Sequence, residues 1–152
     1  MNSVGTVAHI FVAPSRGAPM LALRCAEAVA DSGLVGDRYA DPSIRRGPDN
    51  QLTLIELENI NAFEAETGHV LSPDAPRRNI VTSGISLNEL VGRRFRVGSV
   101  IAEGVELCEP CLLFKKRTHP EALRFFVSKG GLRARIAAGG VISVGDSVSA
   151  ET

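Results

Sequence analysis

Apolar residues in this chain fall in short runs divided by glycine and proline, a spacing that suits strands better than long helices. Residues 4–13 predict a first strand, 14–19 a turn, and 20–30 either one bent strand or two. Residues 33–50 mix glycines, prolines and charges without a period, which predicts a long functional or mobile loop. A short strand is expected at 51–55. Leu57, Ile60 and Phe63 then recur at three-residue spacing and predict a helix over about 57–67, ending near Gly68. A strand at 79–81 and a single helical turn at 87–91 follow. Phe95 and Val97 alternate with Arg94 and Arg96, so 94–97 and 100–107 read as a hairpin turning at Gly98, with Gly104 as a bulge. Thr118 and Glu121 have capping-box spacing, so a helix is expected over about 119–129, with Leu123, Phe126 and Val127 buried and Gly130 as its left-handed stop. Residues 132–138 and 141–150, joined by Gly139-Gly140 and interrupted at Gly145-Asp146, read as closing strands. The pattern predicts a mainly β, strand-rich single domain over 1–152 with a few peripheral helices.

The 152 residues carry 17 basic and 17 acidic side chains and are 44% hydrophobic, as ordinary folded domains are. A chain this long buries roughly 70% of its unfolded surface, so its core needs neither disulfides nor metal and its cysteines are free for chemistry. Charge is unevenly spread. Residues 1–76 hold 5 basic and 10 acidic groups, residues 77–152 hold 12 and 7, for net charges of −5 and +5. Either the second half meets an anion, or the halves neutralise each other across one surface. Zero net charge, one tyrosine and no tryptophan argue against nucleic-acid binding. No apolar stretch, 10–14 included, approaches the roughly 20 residues of a membrane helix, and no signal-peptide order opens the chain. A cytoplasmic protein with no membrane association is expected.

Cys25, Cys108 and Cys111 cannot all pair within one chain, and a reducing compartment keeps them as thiols. The chemically densest stretch is Leu107-Cys108-Glu109-Pro110-Cys111-Leu112, followed by Lys115-Lys116-Arg117. A zinc site needs four ligands; the cysteine pair supplies two, and Cys25, His9, His69 and His119 form no second paired motif. A redox dithiol usually opens a helix, and here Pro110 follows a strand with no helical pattern until Thr118. Burial as small hydrophobes suits Cys25 better than the pair. If Val105 and Leu107 point inward, Glu106 and Cys108 point the other way, and Pro110 ends strand pairing so that Cys111 sits in a loop. The cations at 115–117 favour its thiolate, the form that attacks sulfur or binds a soft metal. Cys111 is therefore the candidate reactive residue, and the three histidines read as structural.

Several pieces occur in an order that resembles the MOSC domain, the module named after the C-terminal part of molybdenum cofactor sulfurases. They are Gly36-Asp37-Arg38-Tyr39, Gln51-Leu52-Thr53-Leu54-Ile55, Arg77-Arg78-Asn79-Ile80-Val81-Thr82, Leu90-Val91-Gly92 with Phe95-Arg96-Val97-Gly98, Cys108-Glu109-Pro110-Cys111, Gly131-Leu132-Arg133-Ala134 and Gly145-Asp146-Ser147-Val148. The resemblance implies a barrel-like fold with peripheral helices and one functional cysteine, which corresponds to Cys111; Cys108 has no family role. It also implies that this cysteine carries sulfur as a persulfide or ligates molybdenum in the pterin cofactor.

Three functions then stand as alternatives. In the first, Cys111 accepts sulfane sulfur from a cysteine desulfurase partner, which would carry the pyridoxal phosphate, and delivers it to a metal-sulfur centre such as the molybdenum cofactor. In the second, Cys111 binds molybdenum and the protein is an oxidoreductase of N-hydroxylated substrates. The third is a non-catalytic binding domain. Arg77 and Arg78, just ahead of Asn79, read as a rim for a cofactor phosphate or as a solvated strand edge. Arg133 and Arg135 face one side of their strand as a second anion contact. Asp37 and Arg38 line the pocket or form a turn-stabilising ion pair.

Overall fold

A computed structural model describes residues 3–44 and 50–151. Seven strands close a barrel: β1 (Val4–Val12), β5 (Leu52–Glu56), β6 (Ile80–Ser83), β7 (Arg94–Val97), β8 (Val100–Leu107), β9 (Leu132–Ala138) and β11 (Ser147–Ala150). The ring runs β1-β11-β7-β8-β9-β5-β6 and back to β1, with β2 (Leu21–Leu23) added outside β1. A second sheet joins β10 (Gly140–Ser143), β3 (Cys25–Val29) and β4 (Gly33–Leu34). The fold is therefore strand-rich, as the apolar spacing predicts, and a barrel, as the resemblance implies. Three helices, α1 (Leu57–Thr67), α2 (Leu112–Arg117) and α3 (Ala122–Phe125), lie outside the barrel. Among the described residues no helix is long and apolar enough to cross a membrane.

The strands β5 and β6 pair in parallel, which demands a crossover, and α1 supplies it. Both strands are apolar on both faces, as a strand covered on each side must be. Leu54 and Ile80 join Ile10 and Leu132 in the barrel core, while Ile55 and Val81 join Phe11, Ile60, Phe63, Phe114, Ala122 and Phe126 in a second core under the helices. Rings in that outer core pack edge to face, with Phe114 and Phe126 centroids 5.3 Å apart and those of Phe63 and Phe125 also 5.3 Å apart. Gly68 ends α1 in the left-handed conformation, φ 76°, as expected.

Several expectations fail for identifiable reasons. The aperiodic stretch 33–50 contains β4 and a 3-10 turn at Arg38–Ala40; its residues 45–49 lie outside the described part. The strands β9 and β10 do not pair with each other, because β10 crosses to β3 while β9 is taken by β8 and β5. The bulge after Gly104 resets the alternation of β8, so Val105 turns outward and Cys108 is buried at 2% exposure, the reverse of the expected parity. The capping box at Thr118 does not form. Its hydroxyl instead donates at 2.7 Å to the Phe114 carbonyl, which also accepts the Thr118 amide at the end of α2, a helix the apolar spacing did not reveal. The predicted helix over 119–129 shortens to α3, with Phe126 buried but Val127 exposed. Ser128, φ 60°, takes the left-handed turn, not Gly130.

Glu56, at the start of α1, accepts a 3.1 Å hydrogen bond from the Leu87 amide. Burial pushes its pKa above the ordinary 4.5, the Leu87 bond opposes that, and Glu58 adds repulsion. A raised folded-state pKa means that the folded protein holds this proton more tightly than the unfolded chain. The stability linked to Glu56 is thus full below its unfolded pKa and is lost as pH rises through the folded one. Glu56→Gln keeps an acceptor for Leu87 and is expected to raise stability at pH 7 but not at pH 4, read by urea denaturation at both values.

Candidate functional site

Two backbone links set the cysteine loop. The Cys108 amide donates to the Gly131 carbonyl at 2.8 Å, extending the β8–β9 ladder by one step, and Glu109 accepts from the Ser128 amide at 2.7 Å. A side-chain carbon on Gly130 would collide with the Cys108 carbonyl, so the loop can lie this close only over glycine. Beyond Pro110 the chain enters α2, with Cys111 as its N-cap residue in extended conformation and Phe114 sunk into the outer core. Cys111 is thus not in a free loop, as expected, but on the helix start. Its thiol makes no capping bond and is exposed. Cys25 is exposed as well; the buried thiol is Cys108.

Cys111 borders a cavity of about 200 Å³ whose other walls include Arg38, Tyr39, Arg77, Arg78, Glu109, Arg117 and Arg133. Five guanidiniums therefore meet one carboxylate around the exposed thiol. A wider groove of about 990 Å³, along Glu66, Lys115, Arg124 and Phe125, contains no cysteine. A further cavity of about 500 Å³ sets Cys25 beside one arginine, Arg24, whereas the cavity at Cys111 gathers five.

The arginines differ in what already occupies them. Arg78 donates from Nε to the Gly130 carbonyl at 2.9 Å and from Nη1 to the Pro76 carbonyl at 3.1 Å, and its guanidinium lies 5.4 Å over the Phe114 ring. It stitches the loop before β6 to the glycines behind the cysteine. Arg38 stacks on Tyr39 at 4.3 Å and lies 3.7 Å from Asp37. Asp37 itself is buried, accepting from the Ala13 amide at 2.9 Å and the Tyr39 amide at 3.3 Å, so its carboxylate builds the turn and does not line the cavity. Asn79 is likewise buried: Oδ1 accepts from the Thr53 amide at 3.1 Å and Nδ2 donates to the Phe11 carbonyl at 3.1 Å, which welds β5, β6 and β1 together beneath the site. Arg133 reaches the cavity and donates to Asn50 at 2.8 Å, whereas Arg135 is held away by Asp31 and Glu103.

Arg77 is the exception. Its Nε and Nη2 are buried without a hydrogen-bond partner, and its backbone sits at φ 62°, a region that a side chain enters at a cost. Burial lowers its pKa, and Arg38 and Arg117 lower it further against the weaker pull of Tyr39 and Asp37. A desolvated cation facing two others is the arrangement an incoming anion relieves. Arg117 was visible in the sequence only as part of a basic run. The signal that would have placed it is the string of good helix formers at 112–117, with cations in the last turn.

The profile of the MOSC domain matches residues 41–149 of this sequence. The chain belongs to the MOSC family. Solved structures agree on the fold. The YuaD protein from Bacillus subtilis superposes with a TM-score of 0.81 at 15% identity, over 99% of this chain and 97% of its own. YiiM from Geobacillus stearothermophilus gives 0.77 at 15%, over 97% and 75%, and YiiM from Escherichia coli gives 0.69 at 17%, over 100% and 70%. No curated protein matches the sequence. In this MOSC domain the ordered motifs of the sequence converge unequally on the cavity: Arg38, Arg77, Arg78, Cys111 and Arg133 line it, while Asp37 and Asn79 support it from behind.

Arg77→Gly removes both the left-handed side chain and the desolvated charge. Net of glycine's greater freedom in the unfolded chain, it is expected to raise unfolding free energy by about 1 kcal/mol. Phosphate or molybdate is expected to raise the melting temperature of the native protein and to leave that of this variant unchanged. Thermal melts with and without the anion check both effects.

Proposed function

We propose that Cys111 is a sulfur carrier, taking sulfane sulfur as a persulfide and delivering it to a metal-sulfur centre, with the arginine cavity receiving the anionic partner in the exchange. The observation that supports this reading is an exposed thiol, uncommitted to capping, opening on the same cavity as an orphaned guanidinium. In the loading step the Cys111 thiolate attacks the outer sulfur of a donor persulfide. A new S–S bond forms, the donor's S–S bond breaks, and the donor leaves as a thiolate without net oxidation. Release as sulfide takes two electrons, which a small thiol supplies by attacking Cys111 Sγ and remaining as a mixed disulfide. The donor fitting this chemistry is a cysteine desulfurase, and pyridoxal phosphate belongs to that partner.

The residues fit the molybdenum cofactor as an anion with a thiophilic metal. Arg38, Arg77, Arg117 and Arg133 would hold its anionic groups, and Cys111 lies beside them. At about 200 Å³ the cavity encloses only a part of a ligand that size, with the rest open to solvent. When bound, the cofactor supplies the metal that accepts sulfide. The chain's own groups neutralise its charge, orient it against the thiol, and present Cys111 from a helix start that Phe114 anchors.

Mass spectrometry of the full chain after incubation with a desulfurase and cysteine tests the reading. The expected result is the mass of one added sulfur on the Cys111 peptide, absent in Cys111→Ser and unaffected by Cys25→Ser. Addition confined to Cys108, or addition that persists in Cys111→Ser, overturns it. About one molybdenum per chain, lost in Cys111→Ser and without sulfur uptake, would instead establish the reductase reading.

A further inference from the structure

We propose that His69, His119 and Glu121, none of which lines the cysteine cavity, form a second site, for a divalent metal of the zinc class. One donor atom from each lies within 4.8 Å of the others. They come from two chain segments that meet only in the fold. His69 follows the left-handed Gly68 at the end of α1, with its amide donating to Thr67 Oγ1 at 3.2 Å, and His119 and Glu121 lie in the connection between α2 and α3. His119 is seated against the outer core, its ring 6.2 Å from that of Phe63. His69 stacks on it at 3.7 Å, and the Glu121 carboxylate lies 3.6 Å from His69 Nε2. Two ligands bound to tetrahedral zinc at 2.0–2.1 Å stand about 3.4 Å apart, so the His69–Glu121 pair already has ligand spacing. Stacked near-parallel, the two rings do not both aim a lone pair at one point, so ligation by His119 requires its ring to turn out of the stack.

The donor set decides the class of ion. Two imidazoles and one carboxylate suit zinc, cobalt or nickel and leave a position open, while calcium and magnesium want oxygen alone. Ligation asks for one exchange. The Glu121 amide now donates to His119 Nδ1 at 3.2 Å. If the metal takes Nδ1, that bond is displaced; if it takes Nε2, the ring proton moves to Nδ1 and the bond is displaced again. Glu121 is exposed, so its amide turns to water at little loss. A bound ion would clip the end of α1 to the segment that follows α2, holding the layer in which Cys111 begins a helix, and binding to the folded state alone would stabilise it.

Cobalt(II) titration of the full chain tests this, since d–d absorption reports tetrahedral nitrogen and oxygen ligation and near-ultraviolet charge transfer reports thiolate. The expected result is one cobalt per chain with d–d bands and no thiolate band. Affinity should weaken at least about tenfold in His69→Ala and in Glu121→Gln, and remain unchanged in Cys111→Ser. Both ligand variants change exposed side chains, so they decide the matter even if His119→Ala disturbs Phe63. No binding at millimolar cobalt, binding that His69→Ala leaves intact, or a thiolate band that Cys111→Ser abolishes would overturn the proposal.

Discussion

The constraint on which the rest depends is that β1, β5 and β6 are apolar on both faces. Closing seven strands into a barrel fills one face with Ile10, Leu54 and Ile80, but Phe11, Ile55 and Val81 then project outward and must be covered. That demand recruits a helical layer in which Phe63, Phe114 and Phe126 interlock. Since Phe114 lies three residues beyond Cys111, burying the ring fixes where the thiol emerges. A hydrophobic requirement of the scaffold therefore positions the one polar feature that matters.

Around that thiol the structure tolerates a local electrostatic conflict. Arg78 and Asn79 spend their hydrogen bonds on the backbone and so give the site a rigid floor. Arg77, between that pair and the turn before it, is left desolvated, strained and facing Arg38 and Arg117. Buried guanidinium nitrogens without an acceptor are rare in folded proteins because water solvates them so well. Their persistence here is intelligible as preorganisation: charge arranged in advance for an anion needs no rearrangement when it arrives.

The same layer explains the histidine cluster. Residues remote in sequence, His69 and His119, are brought ring to ring because one follows α1 and the other precedes α3, and both helices pack over the same strands. Neither histidine lies in a paired motif, so spacing alone marked them as structural. Their proximity is a property of the packing. Cys108, by contrast, is committed to the core beside Gly130 and Gly131.

The amino-acid order by itself determined most of the strands, though not β4, together with α1 and its Gly68 stop, the Gly104 bulge, and the arginine and cysteine motifs, because those signals are local: alternation, three-residue spacing, a glycine at a turn. It did not disclose α2, whose only buried anchor is Phe114, nor the burial of Cys108, since a single bulge reverses every later side chain in a strand. Only the tertiary structure decided which of Arg77, Arg78 and Asn79 face the cavity, which of Arg133 and Arg135 stays available to it, and that Arg117 joins them. Hydrogen-bond partners for these groups lie up to 104 residues away, as Asp31 does from Arg135, and no local pattern encodes a bond made across the barrel wall.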